Sequence, residues 1–178
     1  MTHHHLPGEG PDSDWFGRLN AFEQQETLRQ VKYKRTRWPG LGDGQWSKDK
    51  KRTYPHILPD GDFDKALYDP IAHAVQSYCQ QSGIAWHTEV LNLRSSQVSC
   101  FNVMFPLKQD LALAAAVLAP LLPGVRTVAA IEFEFTGDPG ATAYLGEPKS
   151  GGRGQNRTSI DVAFWWTVVG ALTFPFLF

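Results

Sequence analysis

The stretch Thr127-Val128-Ala129-Ala130-Ile131-Glu132-Phe133-Glu134-Phe135 decides the fold class. Its last residues alternate strictly, so both glutamates face one way and both phenylalanines the other. That is the period of a half-buried strand. Upstream, Asp110 caps an apolar run from Leu111 to about Leu122, and Pro123-Gly124 ends it. A helix so nearly surrounded by apolar positions is expected to be buried against a sheet. Downstream, a glycine-rich connection over residues 137–154 leads to a second strand over 158–168. Ile160, Val162, Phe164 and Trp166 share one of its faces, and Asp161, Ala163, Trp165 and Thr167 the other. Helix, strand, strand reads as an α/β core fragment, with the two strands expected to pair antiparallel.

Working outward, residues 1–14 read as a flexible tail and residues 15–57 as an N-terminal helix with a basic loop. The helix is expected over Arg18 to Val31, with Leu19, Phe22, Leu28 and Val31 at helical spacing. Pro55 to Gly61 is a turn-rich joint. Asp62 or Asp64 then caps a helix running to about Gln81 and ended by Gly83, with Leu67, Ile71, Val75 and Tyr78 as its core stripe. Ile84 to Leu93 reads as a strand. Val98 to Phe105 fits helix or strand equally, and Pro106 is expected to close it. Residues 58–168 form the α/β core, and residues 169–178 an apolar tail.

Composition bounds the class. The chain has 178 residues, 42% of them hydrophobic, with a formal net charge of −1. That length buries a core without staples. Cys79 and Cys100 allow one disulfide but form no secreted framework, so two thiols are the plain expectation. His3, His4 and His5 precede no apolar run, which argues against a signal peptide and for a cytoplasmic location. No zinc-type spacing, serine elbow or three-glycine dinucleotide fingerprint occurs. From Val162 to Phe178 no side chain is charged. The run reads as a buried strand plus an apolar tail, with self-association through it as a consequence. Its length sits at the lower edge of a membrane span, but no membrane partner is expected.

Three groups of residues carry candidate chemistry. Asp161 lies in an oily strand, where a carboxylate costs desolvation free energy unless it is paired or binds a metal. Glu132 and Glu134, on the neighbouring strand, could join it around Mg²⁺. The alternatives are an ion pair for Asp161 and an exposed strand face for the glutamates. Arg153, Asn156 and Arg157 follow glycines that allow close approach to a phosphate, and Arg94 stands at a helix start. Between Lys32 and Arg52, eight basic residues face only Asp43 and Asp49, with Tyr33, Trp38 and Trp46 interleaved. Lys32, Lys34, Arg35, Arg37, Trp38, Lys50, Lys51 and Arg52 are the candidate nucleic-acid contacts, since cations neutralise phosphates and aromatics stack on bases. A solvated loop pinned by tryptophans is the alternative.

Leu91-Asn92-Leu93-Arg94-Ser95-Ser96-Gln97, Cys100-Phe101-Asn102, Phe105-Pro106-Leu107, Tyr144-Leu145-Gly146-Glu147 and Gly152-Arg153-Gly154-Gln155-Asn156-Arg157-Thr158-Ser159-Ile160-Asp161 together resemble a bacterial restriction-endonuclease-like family. The family sits in the PD-(D/E)XK nuclease superfamily, and the resemblance covers roughly residues 58–166. It implies a restriction-endonuclease-like core with N-terminal helices, DNA as partner, and Mg²⁺ held by acids, with Asp161 matching the first and Glu134 assisting. It also implies a following strand carrying acid-x-Lys. No acid or lysine follows Asp161, so the core is expected to be incomplete at the C-terminus and cleavage weak or absent. Asp49-Lys50-Lys51 and Glu147-Pro148-Lys149 have the spacing but lie before Asp161 in loop-like sequence.

Overall fold

The computed structural model describes residues 14–135, 160–168 and 171–177. Residues 1–13 of the expected tail over 1–14, the glycine-rich connection, Glu147, Arg153, Asn156 and Arg157 lie outside them, while Asp14 begins a helix. The chain is a mixed α/β protein that divides into two compact units, and no single described helix is long and apolar enough to cross a membrane.

The first unit comprises Met1–Ala66 and His87–Ser96. Helix α1 (Asp14–Gly17) precedes α2 (Ala21–Arg37), whose start is a capping box. Asn20 Oδ1 accepts from the Glu23 N–H, and Glu23 Oε2 accepts from the Asn20 N–H, both at 2.9 Å. The helix runs six residues past the expected end at Val31, so Lys32, Lys34, Arg35 and Arg37 are helical rather than loop residues. Its buried positions are Thr27, Val31 and Lys34, spaced four and three apart, while Phe22 is 69% exposed. Hydropathy alone missed that face because two of its three members are polar. After α2 comes an antiparallel hairpin of β1 (Gly44–Trp46) and β2 (Asp49–Tyr54). Gly44 makes the close turn onto residues 57–58 possible, since a Cβ there would lie 1.9 Å from the Leu58 carbonyl oxygen. Asp49-Lys50-Lys51 is therefore on a strand, not in a loop.

Residues 84–93 are not a strand but a series of turns with one bridge, Ile57 to Asn92. Two backbone groups at their end pair with residues 56–58: the Leu58 N–H donates to Leu91 O at 2.9 Å and the Leu93 N–H to His56 O at 3.1 Å. His56 is 95% buried here. Burial, with the Arg94 and Lys34 charges behind it, pushes its imidazole down to about 4, against a smaller opposing effect of Asp43. Between pH 4 and 6.5 the unfolded chain thus binds the extra proton. Stability is full above pH 6.5 and falls as pH drops toward 4, by about 3 kcal/mol at 1.36 kcal/mol per pH unit. Urea denaturation across this window should show a steeper pH slope for wild type than for His56→Phe, which cannot titrate. Equal slopes would contradict the buried neutral imidazole.

The second unit comprises Leu67–Trp86 and Gln97–Phe178. Its first helix is shorter than expected. The residues after Asp62 form 3₁₀ turns at Phe63–Ala66 and Asp69–Ile71, and α3 begins at Ala72 and ends at Gln81, with Gly83 at φ +62°. Leu67, Ile71 and Val75 are buried as the stripe demands. Helix α4 (Ser96–Gln109) resolves the ambiguity of residues 98–105. It passes through Pro106, because Pro106 removes only its own N–H near the helix end and its carbonyl still accepts from the Asp110 N–H at 3.1 Å.

Helix α5 (Leu111–Leu118) is capped by Asp110, whose Oδ1 accepts from the Leu113 N–H at 2.9 Å. It packs along β3 (Val125–Phe135) through Ala114 and Leu118 but is not buried all round: Leu113 and Val117 are 46% and 45% exposed. Strand β4 (Ile160–Val168) pairs antiparallel with β3, and β5 (Ala171–Leu177) with β4. The expected apolar tail is thus largely a strand, and β4 is central in the sheet. The register joins Ile131 to Phe164 and Phe133 to Val162, all four buried, under Phe101 and Phe105 of α4.

Candidate acidic site and candidate nucleic-acid interface

The pairs Phe133–Val162 and Phe135–Ile160 bracket Glu134 and Asp161, so the register sets these two acids opposite each other. Asp161 is exposed and Glu134 half-buried. Partial desolvation, then the Glu134 charge, raises the Asp161 carboxyl above its ordinary value. Glu134 has φ +49°, the one non-glycine in the left-handed region among the described residues. That conformation costs on the order of 1–3 kcal/mol and persists where surroundings over-determine it. It also breaks the strict alternation expected of β3, since Phe135 packs edge-on against Trp165 at 5.1 Å.

Helix α4 supplies the surroundings. Gln97 Nε2 donates to Glu134 Oε1 at 3.0 Å and to Ala85 O at 3.2 Å. Cys100 Sγ lies 3.8 Å from Asp161 O. Burial, then Asp161 and Glu134, push the Cys100 thiol up to about 12. Cys100 and Cys79 are both free thiols. Glu132 stands apart from the pair and interacts with Lys108. The Lys108 ammonium donates to Ile131 O at 2.7 Å and sits 4.7 Å over the Tyr78 ring; burial lowers its pKa, partly offset by Glu132.

The structure therefore brings Glu134 and Asp161 together and associates Glu132 with a lysine. Among the described residues, no group of three or more His, Cys, Asp or Glu side chains is arranged to hold a metal. Glu134→Gln should return the Asp161 carboxyl toward its ordinary range, readable by carboxyl NMR titration. A carboxyl raised in the fold binds its proton there more tightly than in the unfolded chain. Asp161 therefore weakens the wild-type fold as pH rises past the ordinary carboxylate value. The gain from Glu134→Gln at neutral pH is at most about 0.5 kcal/mol, because Asp161 is solvated. An unmoved Asp161 titration would show that the two acids do not interact.

The basic segment splits into different environments. Lys32, Arg35 and Arg37 are exposed on α2. Lys34 is only 1% exposed, its Nζ donating to Asp43 Oδ1 at 2.9 Å and Ile57 O at 2.7 Å, so it is structural and no nucleic-acid contact. Trp38 is half-buried at the C-cap of α2, edge-on to Tyr33 at 5.5 Å. Lys48, Lys50, Lys51 and Arg52 project from the hairpin into solvent, Arg52 paired with Asp49 at 2.8 Å and Lys48 lying 5.8 Å over Trp46. Backbone and side-chain hydrogen bonds from Lys51 and Tyr54 hold the Asp49 carboxyl below its ordinary value. Arg94 does not present its guanidinium at a helix start. It donates to Thr27 Oγ1 at 3.1 Å and lies 3.5 Å from Glu23.

A family described as REase-ARP, Restriction Endonuclease associating with ARP, matches residues 22–170. The chain belongs to this family. No curated protein and no solved structure matches the chain. The REase-ARP match runs from α2 through β4, so it contains both the basic hairpin and the acid pair. Sequence reasoning missed Gln97, Cys100 and Lys108 as neighbours of the acids. Their spacing along one helix was a usable signal only once residues 96–109 were known to be helical.

Proposed function

We propose that this REase-ARP chain is a Mg²⁺-dependent DNA endonuclease of slow turnover, built on a restriction-endonuclease-like core with Asp161 and Glu134 as its acidic pair. The reading rests on that pair: two carboxylates opposed on neighbouring strands, one with a raised pKa and the other on a left-handed backbone. Opposed carboxylates repel, and a bound divalent cation removes the repulsion. The donor set fits Mg²⁺, which is commonly held by one or two carboxylates and completes its shell with water and phosphate oxygens. When bound, the ion supplies charge stabilisation at a phosphodiester.

Asp161 and Glu134 would hold the ion, and Gln97 fixes the Glu134 carboxylate through its amide. Slow turnover follows from the surrounding residues. β5, beside β4, reads Ala171-Leu172-Thr173-Phe174-Pro175-Phe176-Leu177 and brings neither acid nor lysine. Lys108 is committed to Ile131 O and the Tyr78 ring. The exposed hairpin lysines support DNA as partner, since each phosphate contact adds affinity that salt removes. The family description supports a protein partner as well.

A Mg²⁺ titration should raise the Tm of wild type by a few degrees and leave Asp161→Asn unmoved. Supercoiled plasmid should be nicked slowly by wild type in Mg²⁺ and not at all by Asp161→Asn. Neither stabilisation nor nicking by wild type would sink the proposal. The solvent-facing hairpin also favours a second reading, binding without cleavage. Lys50→Ala with Lys51→Ala should then weaken DNA affinity and flatten its salt dependence, and binding insensitive to salt would eliminate it.

A further inference from the structure

The first unit contains a cavity of about 530 Å³, a size that holds one small organic ligand. Its walls are aromatic. Trp15 stands 5.2 Å from Tyr54 and 5.3 Å from the His56 ring, and Trp46 stands 6.2 Å from Tyr54. Arginines and their acidic partners complete the lining, among them Arg52 from β2, paired with Asp49, and Arg94 from the turn after the Ile57–Asn92 bridge, 3.5 Å from Glu23. His56 lines the cavity, is 95% buried, and has a buried Nδ1 with no hydrogen-bond partner among the described residues. A buried polar atom left unpaired costs about 1–3 kcal/mol, so its retention on a cavity wall calls for a ligand that pairs it.

The chemistry of the lining narrows the ligand. An apolar molecule would leave His56 Nδ1 unpaired. A bare inorganic anion would leave the aromatic rings without a function. A metal ion would find one imidazole, an Asp49 carboxylate already held by Tyr54 and Arg52, and a Glu23 carboxylate already held by the Asn20 N–H and Arg94. A planar heteroaromatic ring carrying an anionic group satisfies all three parts: it stacks on Trp15 or Tyr54, pairs a ring nitrogen or amide edge with His56, and turns its anion to an arginine.

We infer that this cavity binds a single nucleotide, its base against the aromatic rings and His56 and its phosphate toward Arg52 or Arg94. The site lies wholly within the first unit and uses neither Asp161 nor Glu134. The nucleotide comes either free in solution or as an unpaired base of a DNA strand, which places the same chemistry in the pocket.

The test is a titration of tryptophan fluorescence in the full chain, in EDTA, so that its failure is separable from failure of the metal reading. The probes are the four deoxynucleoside monophosphates, a short single-stranded oligonucleotide and a blunt duplex. Saturable quenching by at least one monophosphate is expected if the free nucleotide is the ligand. Quenching by the single strand, at least tenfold tighter than by the monophosphates, marks the unpaired base. Arg52→Ala should weaken either by about tenfold. His56→Phe should erase preference among the four bases. In case His56→Phe fails to fold, the His56 ring resonances of wild type provide an independent reading and should shift on saturation. No saturable quenching by any probe at millimolar monophosphate overturns the inference. So does binding that leaves the His56 resonances unmoved.

Discussion

Phe133→Ala should destabilise the protein by about 4 kcal/mol. Phe133 is 3% exposed and stacks on Phe101 with ring centroids 4.4 Å apart and planes inclined by 17°. Tyr78 and Phe105 close around it at 5.9 and 5.8 Å. Truncation removes a buried ring, leaves a cavity between β3 and α4, and deletes the pair energy of an offset stack, about 1 kcal/mol by itself. The Tyr78 hydroxyl also accepts from the Phe133 N–H at 3.3 Å, so the helix-to-strand contact is polar as well as apolar. Phe133→Leu fills most of the volume and should cost about 1–2 kcal/mol. Urea denaturation followed by circular dichroism measures both. A loss below about 1 kcal/mol for the alanine variant would mean that α4 does not cover β3 as described.

Lys34→Ala is expected to cost about 3 kcal/mol. The aliphatic stem is packed in the first unit, and the ammonium bridges Asp43 and the Ile57 carbonyl. That carbonyl also accepts from the Gly44 N–H at 2.9 Å, so it keeps one partner when the lysine is gone. The Asp43 side chain is 40% exposed and returns to water. The loss therefore comes mainly from the stem and its cavity rather than from the ion pair. Lys34→Met restores the stem and should recover at least half of the stability by the same urea measurement. Neither variant should change the salt dependence of DNA binding, whereas removing Lys50 and Lys51 should. A Lys34→Met protein as unstable as Lys34→Ala would show that the charge dominates.

Lys34 also shows where sequence reading stopped. In the chain it is one of a cluster of cations, alike in type and spacing. Its burial depends on Asp43 and Ile57, nine and 23 residues away, arriving over α2. Residues 84–93 fail for a related reason. Both of their faces carry apolar residues, and Leu91 and Leu93 pair with residues 56–58 instead of with a sheet. Pro106 reads as a terminator, yet near a helix end the missing N–H costs one bond, and Lys108 beyond it still reaches Ile131 O. The aromatic cavity, drawn from α1, the hairpin and the turns around Asn92, left no local signature at all.

Local periodicity, by contrast, carried far. The β3 and β4 strands, their antiparallel pairing, the Asp110 cap and the α3 stripe all follow from short-range pattern. The chain by itself determined these features because side-chain period and capping chemistry act within a few residues. Only the tertiary structure decided that Glu134 rather than Glu132 meets Asp161, that Lys34 is core, that β5 flanks β4, and that His56 lines a cavity with its Nδ1 unpaired. Each of these depends on desolvation by residues distant in sequence, a free-energy term that exists only once the chain has closed around them.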